Sequence, residues 1–192
     1  MNMKKYVFRN SDDLTNGCGV LVGNFFITAA HLLEVRTFIL QIAGETFKLK
    51  KEDAIVWENR QAEDGGDIAV FRLDKCCSPL ELDDEMPQTG MLLESFSYDH
   101  RTEGCFDPKN IFAKEQKEWF EEVSCSAGIN AVAGNFFQCH TSVVLKQGSC
   151  GSPVFRNGKV FGILHGGHPG EPTCVFLSSA AILEKLHRAG IR

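Results

Sequence analysis

Short β-prone apolar runs, each closed by glycine, asparagine or proline, make up most of this chain. Gly17-Cys18-Gly19-Val20-Leu21-Val22 and Phe25-Phe26-Ile27-Thr28-Ala29 are two of them, joined at Gly23-Asn24 in a hairpin signal. Val7 and Phe8 start a strand ahead of a Ser11-Asp12-Asp13 turn. Arg36 to Ile42 and Glu45 to Leu49 pair around Ala43-Gly44, Ala54 to Trp57 adds a run, and polar Glu58 to Gly66 reads as a loop. Asp67-Ile68-Ala69-Val70-Phe71-Arg72-Leu73 is a strand whose first residue is acidic. Residues 74–90, with Pro79, Pro87 and several acids, lack periodicity and read as a connector between two halves. Met91 to Tyr98 restarts the β pattern. Asp107-Pro108-Lys109 marks a turn or helix start, and the charged Lys114 to Glu122 stretch predicts a helical turn or two before a strand over Val123 to Ser126. Asn135 to Leu145 and Cys174 to Leu177 are further strands, and Val154-Phe155 pairs with Lys159 to Leu164 around Arg156-Asn157-Gly158. Ser178-Ser179-Ala180 caps a terminal helix over Ala181 to Arg188, with Ile182, Leu183 and Leu186 on one side. Many short strands, one late helix and no internal repeat predict an all-β barrel class.

Composition narrows the picture without redirecting it. A chain of 192 residues suits one domain and can bury a sizeable core, and 43% apolar with 23% charged residues is ordinary for a globular protein. The net charge of −5 is spread without long runs of one sign, which argues against a nucleic-acid partner needing a basic face. No apolar segment follows Lys4, Lys5 and Arg9 as in a signal peptide, and no run is long enough to span a bilayer. The expectation is a cytoplasmic protein with no membrane partner. Eight cysteines in such a compartment are expected as reduced thiols. Cys76-Cys77, Cys105, Cys125, Cys139-His140 and Cys174 lack the knuckle spacing of structural zinc, so no metal and no cofactor is expected, and free cysteines default to small buried hydrophobes.

The chemistry concentrates in Gln147-Gly148-Ser149-Cys150-Gly151-Ser152-Pro153-Val154-Phe155. Glycines two before and one after Cys150 allow a tight turn whose N–H groups converge on a small anion. A thiol there becomes a nucleophile if a base takes its proton and an acid orients that base. Gly-x-Cys-Gly-x-Pro resembles the nucleophile loop of chymotrypsin-like proteases, with cysteine where most members carry serine. Thr28-Ala29-Ala30-His31 resembles the Thr-Ala-Ala-His segment of that superfamily, and Asp67-Ile68-Ala69-Val70 resembles its Asp-Ile-Ala-Leu/Val element. The order His31, Asp67, Cys150 matches as well.

The resemblance covers about residues 15–185 and implies two six-stranded antiparallel β-barrels with a C-terminal helix. Residues 1–80 would form the barrel carrying His31 and Asp67; residues 81–192 would form the barrel carrying Cys150, with the helix at about 180–188. It implies His31 as base, Asp67 as its orienting acid with Asp64 and Glu63 in reserve, and an oxyanion hole built from the N–H groups of Gly148 and Cys150. One such donor is typically worth about 3 kcal/mol in the transition state. Ser149 and Ser152 share the loop, but the frame places the reactive atom at Cys150.

Downstream, Phe161-Gly162-Ile163-Leu164-His165-Gly166-Gly167 resembles the Gly-Ile-His-x-Gly-Gly segment of glutamyl endopeptidases and picornavirus-type chymotrypsin-like cysteine proteases. In both, that histidine binds a P1 Glu or Gln, so the resemblance implies a P1 pocket with His165 and Gly166. This chain departs twice: Leu164 is an extra residue between Ile163 and His165, and Leu145 stands five positions before the nucleophile where those families often have threonine. Thr141 is the candidate to replace that threonine. His168 is a second pocket candidate, equally readable as an exposed loop histidine before Pro169. The implied function is a cysteine endopeptidase acting on a protein or peptide substrate. With no Arg-Ile-Val-Gly-like activation junction, competence without cleavage or control by a regulatory protein partner is expected. The competing readings are a protease-like peptide-binding or scaffold module and a redox-sensing thiol protein.

Overall fold

The computed structural model describes residues 2–191 except 12–16, 35, 62–64, 107–113, 146–148 and 168–169, and the backbone alone over 100–106 and 114–120. The turn expected at Asp12-Asp13, the whole Asp107-Pro108-Lys109 signal, and Glu63, Asp64, Gly148 and His168 therefore lie outside the described residues.

The first half carries β1 (Val7–Arg9), β2 (Cys18–Val22), β3 (Phe25–Thr28), β4 (Phe38–Ile42), β5 (Glu45–Leu49), β6 (Val56–Glu58) and β7 (Ile68–Arg72). β2 and β3 form the expected hairpin, with Val20 opposite Ile27. The order β1-β2-β3-β7-β6 makes an open five-stranded sheet, while β4 and β5 form a separate pair. A second closed barrel is thus not seen among the described residues. The bridge from β4 to the end of β1 is made instead by single bonds: the Ser11 N–H donates to the Ile39 carbonyl at 2.8 Å, and the Ile39 N–H donates to buried Asn10 Oδ1 at 2.9 Å.

The second half carries β8 (Leu92–Phe106), β9 (Lys114–Ala133), β10 (Phe136–Thr141), β11 (Pro153–Arg156), β12 (Lys159–Gly167), β13 (Thr173–Ser178) and α1 (Ser179–Arg188). Here the order β10-β13-β12-β11-β8-β9 closes into a six-stranded barrel. Asn157 and Gly158 both take positive φ, 52° and 77°, which the tight turn between β11 and β12 requires. The charged Lys114 to Glu122 stretch is not helical. It lies in β9, in register with β8 from Leu92 opposite Gly128 to Phe106 opposite Lys114. Continuous pairing along a long partner overrides a local charge pattern that reads as helix.

The Ser178 hydroxyl caps α1 by accepting from the Ala181 N–H at 3.2 Å. Ile182 and Leu186 of that helix join Val20, Ile27, Ile68 and Val70 of the open sheet and Val160, Ile163 and Leu177 of the barrel in one buried cluster. Each such side chain is worth about 1.5–3 kcal/mol on burial. The two halves therefore share an apolar interior, and the site lies where they meet. The connector is knit to both: the Ser78 hydroxyl donates to the Leu21 carbonyl at 2.7 Å, and the Val160 N–H donates to the Glu81 carbonyl at 2.9 Å. No helix among the described residues is long and apolar enough to cross a membrane.

Candidate active site

His31 sits in a 3-10 turn, Ala30–Leu33, directly after β3. Ala29 and Ala30 are fully buried, so only small side chains let this turn settle against the sheet. Asp67 sits just before β7, which pairs with β3 through Thr28 opposite Ala69. Its backbone is left-handed, φ 51°, a conformation aspartate tolerates better than most residues. Its carbonyl accepts from the Ala30 N–H at 3.2 Å, and its Oδ1 accepts from the His31 N–H at 2.8 Å. Oδ2 then lies 2.6 Å from His31 Nδ1. Two bonds to the carboxylate and one to the backbone thus fix Asp67 against the histidine turn.

Cys150 is placed from the other side. Its carbonyl accepts from the Cys18 N–H at 2.8 Å, and the Cys18 carbonyl accepts from Thr28 Oγ1 at 2.6 Å, which ties the nucleophile loop to β2 and β3. Gly151 has φ 85°, and a Cβ there would stand 2.1 Å from the Cys18 carbonyl oxygen, so this close approach admits glycine alone. The Ser152 hydroxyl is fully buried and hydrogen-bonds the Ser149 carbonyl, which removes it as a competing nucleophile.

The Cys150 side chain lies close enough to His31 to act on the ring that Asp67 holds. The Asp67 bond first and the neighbouring Cys150 second lift its pKa to about 9 against the opposing effect of burial. Burial works to raise the Asp67 pKa, but the bonds and charge of His31, with Arg60, outweigh it and hold Asp67 below its ordinary value. The imidazole stays 32% exposed while the carboxylate is wholly covered, so the ring faces outward and the carboxylate does not.

The P1 candidates are arranged differently. A β-bulge between Leu164 and Gly166 sets the extra residue into β12. One residue of slip exchanges the faces of a strand. Leu164 is buried in the barrel cluster with Cys139 and Cys174, with Leu145 packed against it. His165 turns away: its Nε2 lies 3.0 Å from the Gly65 carbonyl and its ring stands edge-on to Phe136 at 4.8 Å. Thr141 is buried and its hydroxyl donates to the Val143 carbonyl at 2.6 Å. The structure thus brings together His31, Asp67 and Cys150 but does not bring His165 to them as a free donor. Arg60, which no motif signalled, binds Asp67 Oδ2 through Nε at 3.1 Å.

The other described cysteines are free. Burial pushes Cys139 up to about 12 and Cys18 and Cys174 up to about 11, which keeps them as unreactive thiols. Among the described residues no group of three or more His, Cys, Asp or Glu side chains is placed to hold a metal ion.

No protein-family model and no curated protein sequence matches this chain. Solved structures do. The active form of Rv3671c protease from M. tuberculosis is similar over 99% of this chain and 83% of its own, at 15% identity and a TM-score of 0.67. Tobacco etch virus protease is similar over 94% and 78%, at 20% identity and a TM-score of 0.58. A Glu endopeptidase is similar over 98% and 92%, at 13% identity and a TM-score of 0.66. These neighbours are chymotrypsin-like proteases. The chain has the chymotrypsin-like fold. At such identities the likeness speaks for the fold, with one barrel closed and the other half an open sheet; the chemistry must be argued from the residues.

Proposed function

We propose that this protein is a cysteine endopeptidase acting through Cys150, His31 and Asp67, with residues 1–80 and 81–192 as the two halves of one protease domain. The observation that carries the reading is the imidazole of His31 paired with the buried Asp67 carboxylate at 2.6 Å, with the Cys150 side chain close enough to act on the same ring. Asp67 takes the Nδ1–H, which leaves Nε2 for the sulfur and then for the leaving amine. With its pKa lifted to about 9, His31 holds a proton at neutral pH, so the acid needed by the leaving group is already charged.

Cys150 Sγ attacks the scissile carbonyl carbon and the carbonyl π pair moves to oxygen. The Cys150 N–H is the oxyanion donor within the described residues, Gly148 being the second that the motif implies. Collapse expels the amine, which takes the proton from His31 Nε2, and a thioester remains. Neutral His31 then removes a proton from water as the water oxygen attacks the thioester. The thiolate leaves, and a carboxylic acid and the starting pair are regenerated.

At P1 we infer an apolar side chain rather than Glu or Gln. Leu164, whose carbonyl accepts from the Gly151 N–H at 3.3 Å and whose N–H donates to the Ser152 carbonyl at 2.8 Å, is the strand residue beside the nucleophile loop. Leu145 packs on the same cluster, while the polar groups of His165 and Thr141 are engaged within the chain. A peptide ligand fits the fold: tobacco etch virus protease is known complexed with substrate.

A peptide-library cleavage profile of reduced wild type beside Cys150→Ala tests both parts. The expected result is cleavage abolished in the variant, with Leu, Met or Phe enriched at P1. No cleavage of any sequence by wild type defeats the peptidase reading, and enrichment of Glu or Gln restores His165 as the P1 residue.

A further inference from the structure

Arg60 joins three parts of the site that the motifs leave separate. It lies between β6 and β7, and its Nε reaches the same Asp67 oxygen, Oδ2, that binds the His31 ring. Its Nη2 donates to the carbonyl of His165 on β12 at 2.7 Å, and the His165 ring returns a bond to the carbonyl of Gly65, two residues before Asp67. The β12 bulge at His165 is what brings that carbonyl and that ring to the loop. A guanidinium suits the task because its rigid fork offers separate N–H groups to two acceptors, which a lysine ammonium on a flexible stem does not reproduce.

We propose that Arg60 is a positioning residue of this site, sharing Asp67 Oδ2 with His31 and pinning the Asp67 loop to β12. For its activity arm this rests on the peptidase reading above; its electrostatic arm does not. Loss of Arg60 still leaves Asp67 tied to the histidine turn by the His31 N–H and the Ala30 N–H, while its tether to β12 is gone. What also changes is the charge that the imidazole meets. Arg60 draws on the carboxylate that would otherwise act on His31 alone, and so it limits how tightly His31 keeps its proton. The side chains that act on Asp67 include His31 and Arg60, and those that act on His31 include Asp67 and Cys150. Glu58 and Lys185, beside Gly66, neutralise one another.

The test is the titration of His31 by NMR in wild type, Arg60→Gln and Arg60→Lys, alongside the alkaline limb of kcat/KM against pH. Removing the cation is expected to move the His31 midpoint and the alkaline limb upward by roughly half a unit to one unit in Arg60→Gln. Arg60→Lys is expected to keep the wild-type midpoint and still lose turnover roughly tenfold, because one head cannot hold both acceptors. An unmoved or lowered midpoint in Arg60→Gln overturns the proposal, as does full wild-type turnover in Arg60→Lys. If Arg60→Gln does not fold, Arg60→Lys decides: a midpoint displaced by as much as half a unit with the charge retained defeats the electrostatic role. A wild type that titrates as expected but cleaves no peptide defeats the peptidase reading and leaves the midpoint comparison to decide this one.

Discussion

Asp67 is fixed by backbone and side chain together, which makes it the sharpest place to separate chemistry from folding. Asparagine tolerates the left-handed φ of 51° as aspartate does and keeps an oxygen for the His31 N–H. What it removes is the negative charge at Nδ1. Asp67→Asn should therefore fold and lose turnover roughly ten-thousand-fold, read as kcat beside a thermal melt; an unfolded variant would make Asp67 structural first. The same substitution has a pH signature. His31 has a folded pKa of about 9 against an ordinary 6.5, so it contributes stability in full below about 6.5 and loses it as pH rises through about 9. Wild type should lose melting temperature across that window, and Asp67→Asn should lose less; parallel curves would count against the pairing. His31, Asp67 and Cys150 stand out in the sequence as candidates because each lies in a run of neighbours with its own geometric demand, such as the buried Ala29 and Ala30 before His31. Arg60 was not legible, because nothing local to residue 60 says that the chain folds it back onto Asp67 and over to β12.

At the level of elements, hairpins whose turns need positive φ were readable, as Ala43-Gly44 and Asn157-Gly158 show with φ from 50° to 81°. The long β8–β9 ladder was not, since its charged second strand is strand only by virtue of its partner. The bulge in β12 was equally invisible: the sequence records an extra Leu164, but only the register with β13 tells which side chain turns inward. The nucleophile loop is the opposite case, where one residue dictates the backbone. Gly151→Ala would set a Cβ 2.1 Å from the Cys18 carbonyl, a backbone atom that cannot yield without breaking the 2.8 Å bond from the Cys18 N–H to the Cys150 carbonyl. The expected outcome is a loss of more than about 1 kcal/mol in chemical denaturation and of measurable turnover. Wild-type turnover in a folded Gly151→Ala protein would show that this loop does not need the Cys18 contact.

Across the whole molecule, Asp67 borders a sheet that does not close by itself among the described residues, so its loop relies on the second half for support. Beyond the Arg60 bridge, Glu58 at the end of β6 accepts from the Gly66 N–H at 3.1 Å and from Lys185 Nζ of α1 at 2.8 and 2.9 Å. Lys185 is 5% exposed and Glu58 18%, so this is a covered ion pair that links the terminal helix to the residue beside Asp67. Removing one partner of such a pair leaves a charge without compensation and costs about 3–5 kcal/mol, whereas removing both charges costs far less. Lys185→Met should accordingly lower stability by about 3 kcal/mol, and adding Glu58→Gln should recover part of it. If α1 also supports the Asp67 loop, the single variant loses kcat even at temperatures where it is folded, while the double variant, with the Glu58→Gln amide oxygen still able to take the Gly66 N–H, loses less. Denaturation curves and kcat for the two variants decide the matter: equal stability losses would show that the pair carries no buried-charge penalty, and an unchanged kcat in folded Lys185→Met would leave Arg60 and the shared apolar core as the links that hold Asp67 in place.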